Sequence, residues 1–231
     1  MRRVSIVLGV VWVLCAASFA GVADSESFLE AGSQVAVSAS VALTEAHLGN
    51  LLLMMGILAS TADLQVGMWG GMQGLLGRFE LLPVSFDVWF LLPDGSYYKV
   101  TTGLTGSNLA DRAYFPKVMA GETTVGDLVV SKSTGRKSMV MTVPIERSGA
   151  IIGALGATVY LDDLSNLILD ALELPDDVVL FAHTPEGEIT LHSDPNLLLE
   201  SADAAGVDNA TAVSAASPLL SWIFVLGAAA N

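Results

Sequence analysis

The chain has 231 residues, 52% of them hydrophobic, and sets 10 Lys+Arg against 24 Asp+Glu for a formal net charge of −14. That balance argues against nucleic acid or an anionic membrane surface as a partner. The single cysteine is Cys15, so nothing downstream of it supplies a disulfide framework, a thiolate nucleophile or a cysteine-ligated metal.

In chain order, Arg2 and Arg3 form a positive n-region, and Val4 to Ala20 is apolar apart from Ser5 and Ser18. With small residues at Ser18 and Ala20, or Gly21 and Ala23, residues 1–23 read as a secretory signal peptide. The other reading is an uncleaved anchor, since the stretch is about long enough to span a bilayer. Either one places residues 24–231 outside the cytoplasm, periplasmic or secreted, as a single domain. Ser25 to about Ala62 is expected to be one long helix, capped by Asp24 or Ser25, with Glu26 in its first turn. A second helix is expected from Ala62 to Arg78. Its glycines at 67, 70, 71, 74 and 77 weaken it, and Gly70 and Gly74 favour close packing over a membrane contact.

Strands follow. Phe86 to Leu92 turns at Pro93-Asp94-Gly95 and returns through Ser96 to Val100, where proline presets φ and glycine accepts positive φ. Gly103 to Ala110 reads as a polar loop. Ser133-Thr134-Gly135 and Arg147-Ser148-Gly149 are further hairpin turns, and three successive hairpins require an antiparallel sheet. A short helix through Leu172 starts at Asp162 or Asp163 and stops at Leu174-Pro175. A hairpin around Pro185-Glu186-Gly187, a loop from Ala202 to Ala216 and an apolar strand from Leu219 to Gly227 complete the chain. The expected class is α+β, with helices on one side of an antiparallel sheet.

Four runs of residues are more specific than this pattern. They are Trp89-Phe90-Leu91-Leu92-Pro93-Asp94-Gly95-Ser96-Tyr97-Tyr98, Asp111-Arg112-Ala113-Tyr114-Phe115-Pro116, the stretch Gly126 to Gly135, and Gly153-Ala154-Leu155-Gly156. In this order they resemble the Cache family of extracytoplasmic sensor domains, relatives of the PAS fold, over roughly residues 80–200. The resemblance implies a PAS-like antiparallel sheet with a long N-terminal helix packed alongside, and a small ligand held between the sheet and the loops crossing it.

Arg112 carries the most weight as a site residue, because its planar fork of donors fits a carboxylate bidentately. In amino-acid-binding Cache domains an arginine followed two and three residues later by aromatics grips the ligand carboxylate, and Arg112, Tyr114 and Phe115 match those positions. The competing reading pairs Arg112 with Asp111 or another acid, so that it only braces the loop. Trp89, Tyr98 and Lys132 are further candidates; Tyr97 and Tyr98 alternate along a strand and cannot both face the ligand. The resemblance places Thr158 where the family carries its amine-binding aspartate, and Ser107 where it carries an aromatic. A neutral threonine cannot balance a buried ammonium group. The expected ligand is therefore a small carboxylate or organic acid with no obligatory amine.

His183 and His192 flank one hairpin with Asp194 close by, a set that can bind a metal, but an aspartate capping the turn before Pro195 is the favoured account. No Gly-x-Ser-x-Gly elbow or catalytic constellation is present, and no enzyme activity, metal or cofactor is expected. The sequence thus reads as an extracytoplasmic binding sensor without an attached output domain. Its implied partners are a small anionic metabolite, a membrane-bound signalling protein and, through the first helix, a second copy. The alternative is a structural or interaction module on the same scaffold that binds no small molecule.

Overall fold

A 35-residue helix, α1 (Ser25–Ala59), forms the spine of the molecule. The computed structural model describes residues 25–80 and 86–230; the signal peptide expected at residues 1–23 lies outside them. At 1.5 Å per residue α1 is about 52 Å long, more than one small sheet can cover. Val37, Val41, Thr44, Leu48, Leu51, Met55 and Ala59 recur every three to four residues and are buried, so one stripe of the helix faces the core from residue 37 to its end. The segment Gly32–Ala59 is long and apolar enough to cross a membrane, but it packs against strands of both sheets described below.

The second helix of the sequence reading is two. α2 (Ala62–Gln65) and α3 (Trp69–Phe79) are separated by Gly67 at φ +75°, a conformation that ends a right-handed helix and that glycine adopts without Cβ strain. Strands β1 (Phe86–Leu91), β2 (Ser96–Lys99), β3 (Gly103–Asn108), β4 (Thr124–Val130), β5 (Lys137–Arg147) and β6 (Ala150–Tyr160) follow. They form one antiparallel sheet in the order β3-β2-β1-β6-β5-β4. The polar stretch read as a loop from Gly103 is thus an edge strand, followed by the short helix α4 (Tyr114–Met119). Its composition hid it: Gly103, Thr105, Gly106, Ser107 and Asn108 lack the apolar alternation of a strand, and ladder bonds to β2 decide the matter.

The structure also differs in having two sheets. Helix α5 (Leu161–Leu172) leads out of the first, its C-cap Glu173 is left-handed, and Leu174-Pro175 breaks the chain. Strands β7 (Val178–His183), β8 (Ile189–Leu191), β9 (Val213–Ala216) and β10 (Ile223–Ala228) then pair as a four-stranded antiparallel sheet, β8-β7-β10-β9. β9 lies within the stretch read as loop. Its partner β10 aligns Ile223 with Ala216 and Leu226 with Val213. The α+β class and the long packed helix stand, with α1 serving both sheets through one continuous apolar core. Glu45 ties it to the second sheet by accepting from Ser217 Oγ at 2.7 Å and Leu219 N at 3.0 Å.

Candidate functional site

Alternation along the first sheet decides which side chains reach the site. Phe86, Val88 and Phe90 of β1 enter the core shared with α1, whereas Trp89 and Leu91 enter a second cluster on the opposite face. The Pro93-Asp94-Gly95 turn fixes the register, pairing Leu91 with Tyr97 and Trp89 with Lys99. Residues opposite one another on antiparallel strands share a face, so Tyr97 and Lys99 stand with Trp89. Tyr98 faces the other way and stacks on Trp69 of α3 at 4.9 Å. The choice of Tyr98 as a ligand residue is thereby corrected: Trp89 and Tyr98 cannot line one cavity, and Tyr97 is the tyrosine that does.

On this face, a cavity of about 30 Å³ lies between the sheet, the segment Leu109–Tyr114 and the tip of the β4–β5 hairpin. That is room for two or three water-sized groups. Trp89, Arg112, Tyr114, Lys132 and Thr158, all singled out from the sequence, line it, and Tyr97, Lys99 and Ser131 join them. Phe115 does not. It packs half-buried against the second cluster, because the turn that starts α4, with Phe115 N bonded to the Arg112 carbonyl at 3.0 Å, sends successive side chains in different directions. Tyr114 is buried, and burial pushes its hydroxyl well above the usual tyrosine range.

Three cations surround the cavity. Lys99 Nζ sits 2.6 Å from Asp87 Oδ2, and Lys132 Nζ 2.7 Å from Asp111 Oδ1 and 2.8 Å from the Asn108 carbonyl. The hydrogen bond from Lys132 holds the Asp111 carboxyl below its usual range. Arg112 differs. One Nη2–H donates to the Val130 carbonyl at 2.9 Å, and among the described residues no carboxylate pairs with it. Arg112 does not pair with Asp111, which Lys132 holds. Two of the three cations are thus paired with an aspartate, and Arg112 is not.

The same contacts fasten the hairpin over the cavity. Arg112 and Lys132 each bridge it to the Asn108–Arg112 segment, and Lys99 Nζ reaches Ser133 Oγ at 3.3 Å. Arg136, at the base of the hairpin, lies 3.7 Å over the Tyr160 ring and reaches Asp162 at 2.6 Å and Asp163 at 2.9 Å in the first turn of α5. Tyr160 in turn donates to Asp87 at 2.6 Å. Burial, and then this bond, push the Tyr160 hydroxyl up to about 12. A ladder of polar contacts thus runs from the cavity to the helix that enters the second sheet.

The metal spacing noted in the sequence is engaged otherwise. His192 accepts from Asp194 N at Nδ1 and contacts the Ala205 carbonyl at Nε2, while His183 Nδ1 contacts the Thr184 carbonyl. Among the described residues no group of three His, Cys, Asp or Glu side chains could hold a metal ion.

No protein-family model matches this sequence, and no curated protein matches it. Solved structures do. The ligand-binding domain of the Pseudomonas fluorescens chemoreceptor CtaA, in complex with L-valine, is similar at TM-score 0.69 and 14% identity over 89% of this chain and 98% of its own. The sensor domain of the V. cholerae histidine kinase DctB gives 0.71 and 12% over 90% and 100%. The ligand-binding domain of the Pseudomonas aeruginosa amino acid chemoreceptor PctC, in complex with GABA, gives 0.64 and 19% over 87% and 98%. The chain therefore has the fold of these sensory domains, the Cache-type fold that its sequence resembles.

Proposed function

We propose that this chain is an extracytoplasmic sensor domain that binds a small organic acid in the cavity of the first sheet. The single observation that carries the reading is Arg112, a guanidinium at a cavity with aromatic walls and with no carboxylate partner among the described residues. Solved domains of this fold were crystallised with L-valine and with GABA, both small molecules carrying a carboxylate. Here Thr158, 8% exposed, occupies the site as a neutral group and already accepts the indole N–H of Trp89 at 2.9 Å. It offers no charge to an ammonium group, which points to an acid without an obligatory amine.

A bound acid competes with the Val130 carbonyl for the Arg112 fork and so loosens or re-seats the hairpin. The Arg136–Asp162 link passes that change to α5, and α1, tied to both sheets, carries it along the molecule toward a membrane-bound signalling protein. Copies pair through the apolar residues that α1 leaves uncovered, Val35, Leu43, Leu53 and Ile57, which are 39–70% exposed.

The test is a thermal-shift screen of purified protein against small organic acids, since a ligand that binds only the native state raises its stability by mass action. Arg112→Ala should keep its fold and lose the response. A second reading, an interaction module that binds no small molecule, is favoured by the small volume of the cavity. A screen in which no acid moves the melting temperature of the wild-type protein would establish that reading instead.

A further inference from the structure

We propose that Trp89 is the residue that sets ligand size, and that it restricts this cavity to the shortest monocarboxylates. The inference rests on the acid-binding reading above and narrows it by charge and by length.

The charge follows from the pairing of the three cations. Lys99 and Lys132 are each matched by an aspartate, and Arg112 alone is left over. A single carboxylate gives Arg112 the ion-pair partner that the two lysines already have. A second one would have to displace Asp87 or Asp111 from a lysine, or be buried without a partner at considerable cost.

The length follows from the floor. Trp89 stands directly opposite Gly156 across the β1–β6 ladder. A Cβ at position 156 would lie 2.2 Å from one ring carbon and 2.3 Å from two others, so the indole rests on bare backbone. Its N–H is anchored to Thr158 Oγ1 at 2.9 Å, and Tyr97 and Tyr114 flank it with ring centroids at 6.0 Å. The side chain is 3% exposed. The strand lies behind the ring, aromatics flank it, and its hydrogen-bonding end is tied. The ring thus fills the space into which an alkyl tail would extend from an acid group seated on Arg112. The remaining 30 Å³ holds about two or three water-sized groups at roughly 10–15 Å³ each, which is a carboxylate with at most one carbon beyond it, as in formate or acetate.

The experiment is calorimetry of the full chain against formate, acetate, propionate, butyrate, valerate and hexanoate, with succinate as the dicarboxylate, repeated on Trp89→Leu and Thr158→Val. Wild type should bind formate and acetate and lose at least tenfold in affinity by butyrate, with succinate weaker than acetate. Trp89→Leu should reverse the trend, tightening roughly fourfold per added methylene as buried CH₂ groups contribute. Thr158→Val, which frees the indole without removing it, should extend the accepted length even if Trp89→Leu does not fold. Hexanoate bound by wild type as tightly as acetate, or a length profile unchanged in every variant that folds, would overturn the role of Trp89 while leaving the acid site standing. Wild type that binds no acid of any length would overturn the acid-binding reading itself, and this inference with it.

Discussion

Replacing Gly156 by alanine adds one methyl group at a point where the structure leaves no space for it. The new Cβ falls 2.2–2.3 Å from three carbons of the Trp89 ring, whereas carbon atoms rest at about 3.5–4.0 Å. The backbone φ at Gly156 lies outside the left-handed range, so no conformational strain accompanies the change and the clash alone is measured. The indole cannot retreat through β6. It must slide toward the cavity, stretching the 2.9 Å bond to Thr158. Overpacking of a core costs roughly 1–3 kcal/mol, and a buried donor left short of its acceptor about 1–3 kcal/mol more. Gly156→Ala should therefore lose about 2–6 kcal/mol. For a chain of this size that lowers the melting temperature by about 4–24 °C. Urea unfolding followed by tryptophan fluorescence gives the energy, and near-UV circular dichroism reports whether the indole has moved. A variant within about 0.5 kcal/mol of wild type, with an unchanged near-UV spectrum, would show that Trp89 does not lie on Gly156 and would remove the floor from the cavity described above.

Gly74 in α3 is the converse case, with nothing within 4 Å of an added Cβ; Gly74→Ala should stabilise the protein by about 0.5–1 kcal/mol in the same unfolding assay. Asp87→Asn removes the partner of Lys99, whose side chain is 12% exposed. Breaking a fully buried pair costs about 3–5 kcal/mol, and the partial exposure of Asp87 reduces this to about 1–3 kcal/mol; calorimetry should at the same time show tighter binding of small anions to the freed lysine. Tyr160, raised to about 12, holds its proton more tightly in the folded chain than in the unfolded one, where it titrates near 10. The stability it contributes is whole below that lower value and is lost as pH rises toward the higher one. Tyr160→Phe should flatten the fall in urea midpoint between pH 10 and 12, and an equally steep fall in the variant would assign it to other groups. Leu53→Glu with Ile57→Glu places two charges on the uncovered face of α1; light scattering should find a dimer in wild type and a monomer in the variant, with the melting temperature of the monomeric fold preserved.

Much of the fold could be read from local chemistry. Proline and glycine at the tight turns fixed the hairpins, small residues aside, because those turns demand a preset or a positive φ whatever surrounds them. The long apolar periodicity after Ser25 specified α1, and the Arg-x-Tyr-Phe element together with the turn residues carried the resemblance to Cache domains. Of the residues that line the cavity, Arg112, Tyr114 and Thr158 were named through the resemblance, and Trp89 and Lys132 from residue type and position. Tyr97 and Lys99 were also within reach, because the Pro93-Asp94-Gly95 register puts them on the face of Trp89, a consequence that choosing Tyr98 overlooked.

Other features required the packed structure. Polar segments such as Gly103–Asn108 become strands only because a neighbouring strand offers its ladder, and that bonding is not encoded in hydrophobic pattern. The division into two sheets depends on where α5 and Pro175 send the chain. Above all, that Arg112 lacks a carboxylate partner among the described residues is decided by which aspartate Lys132 reaches across 21 residues of sequence, and the size of the cavity by an indole lying on a glycine 67 positions away. Turn geometry and helix periodicity are short-range properties of the chain. Charge pairing and free volume are set by residues that meet only after folding.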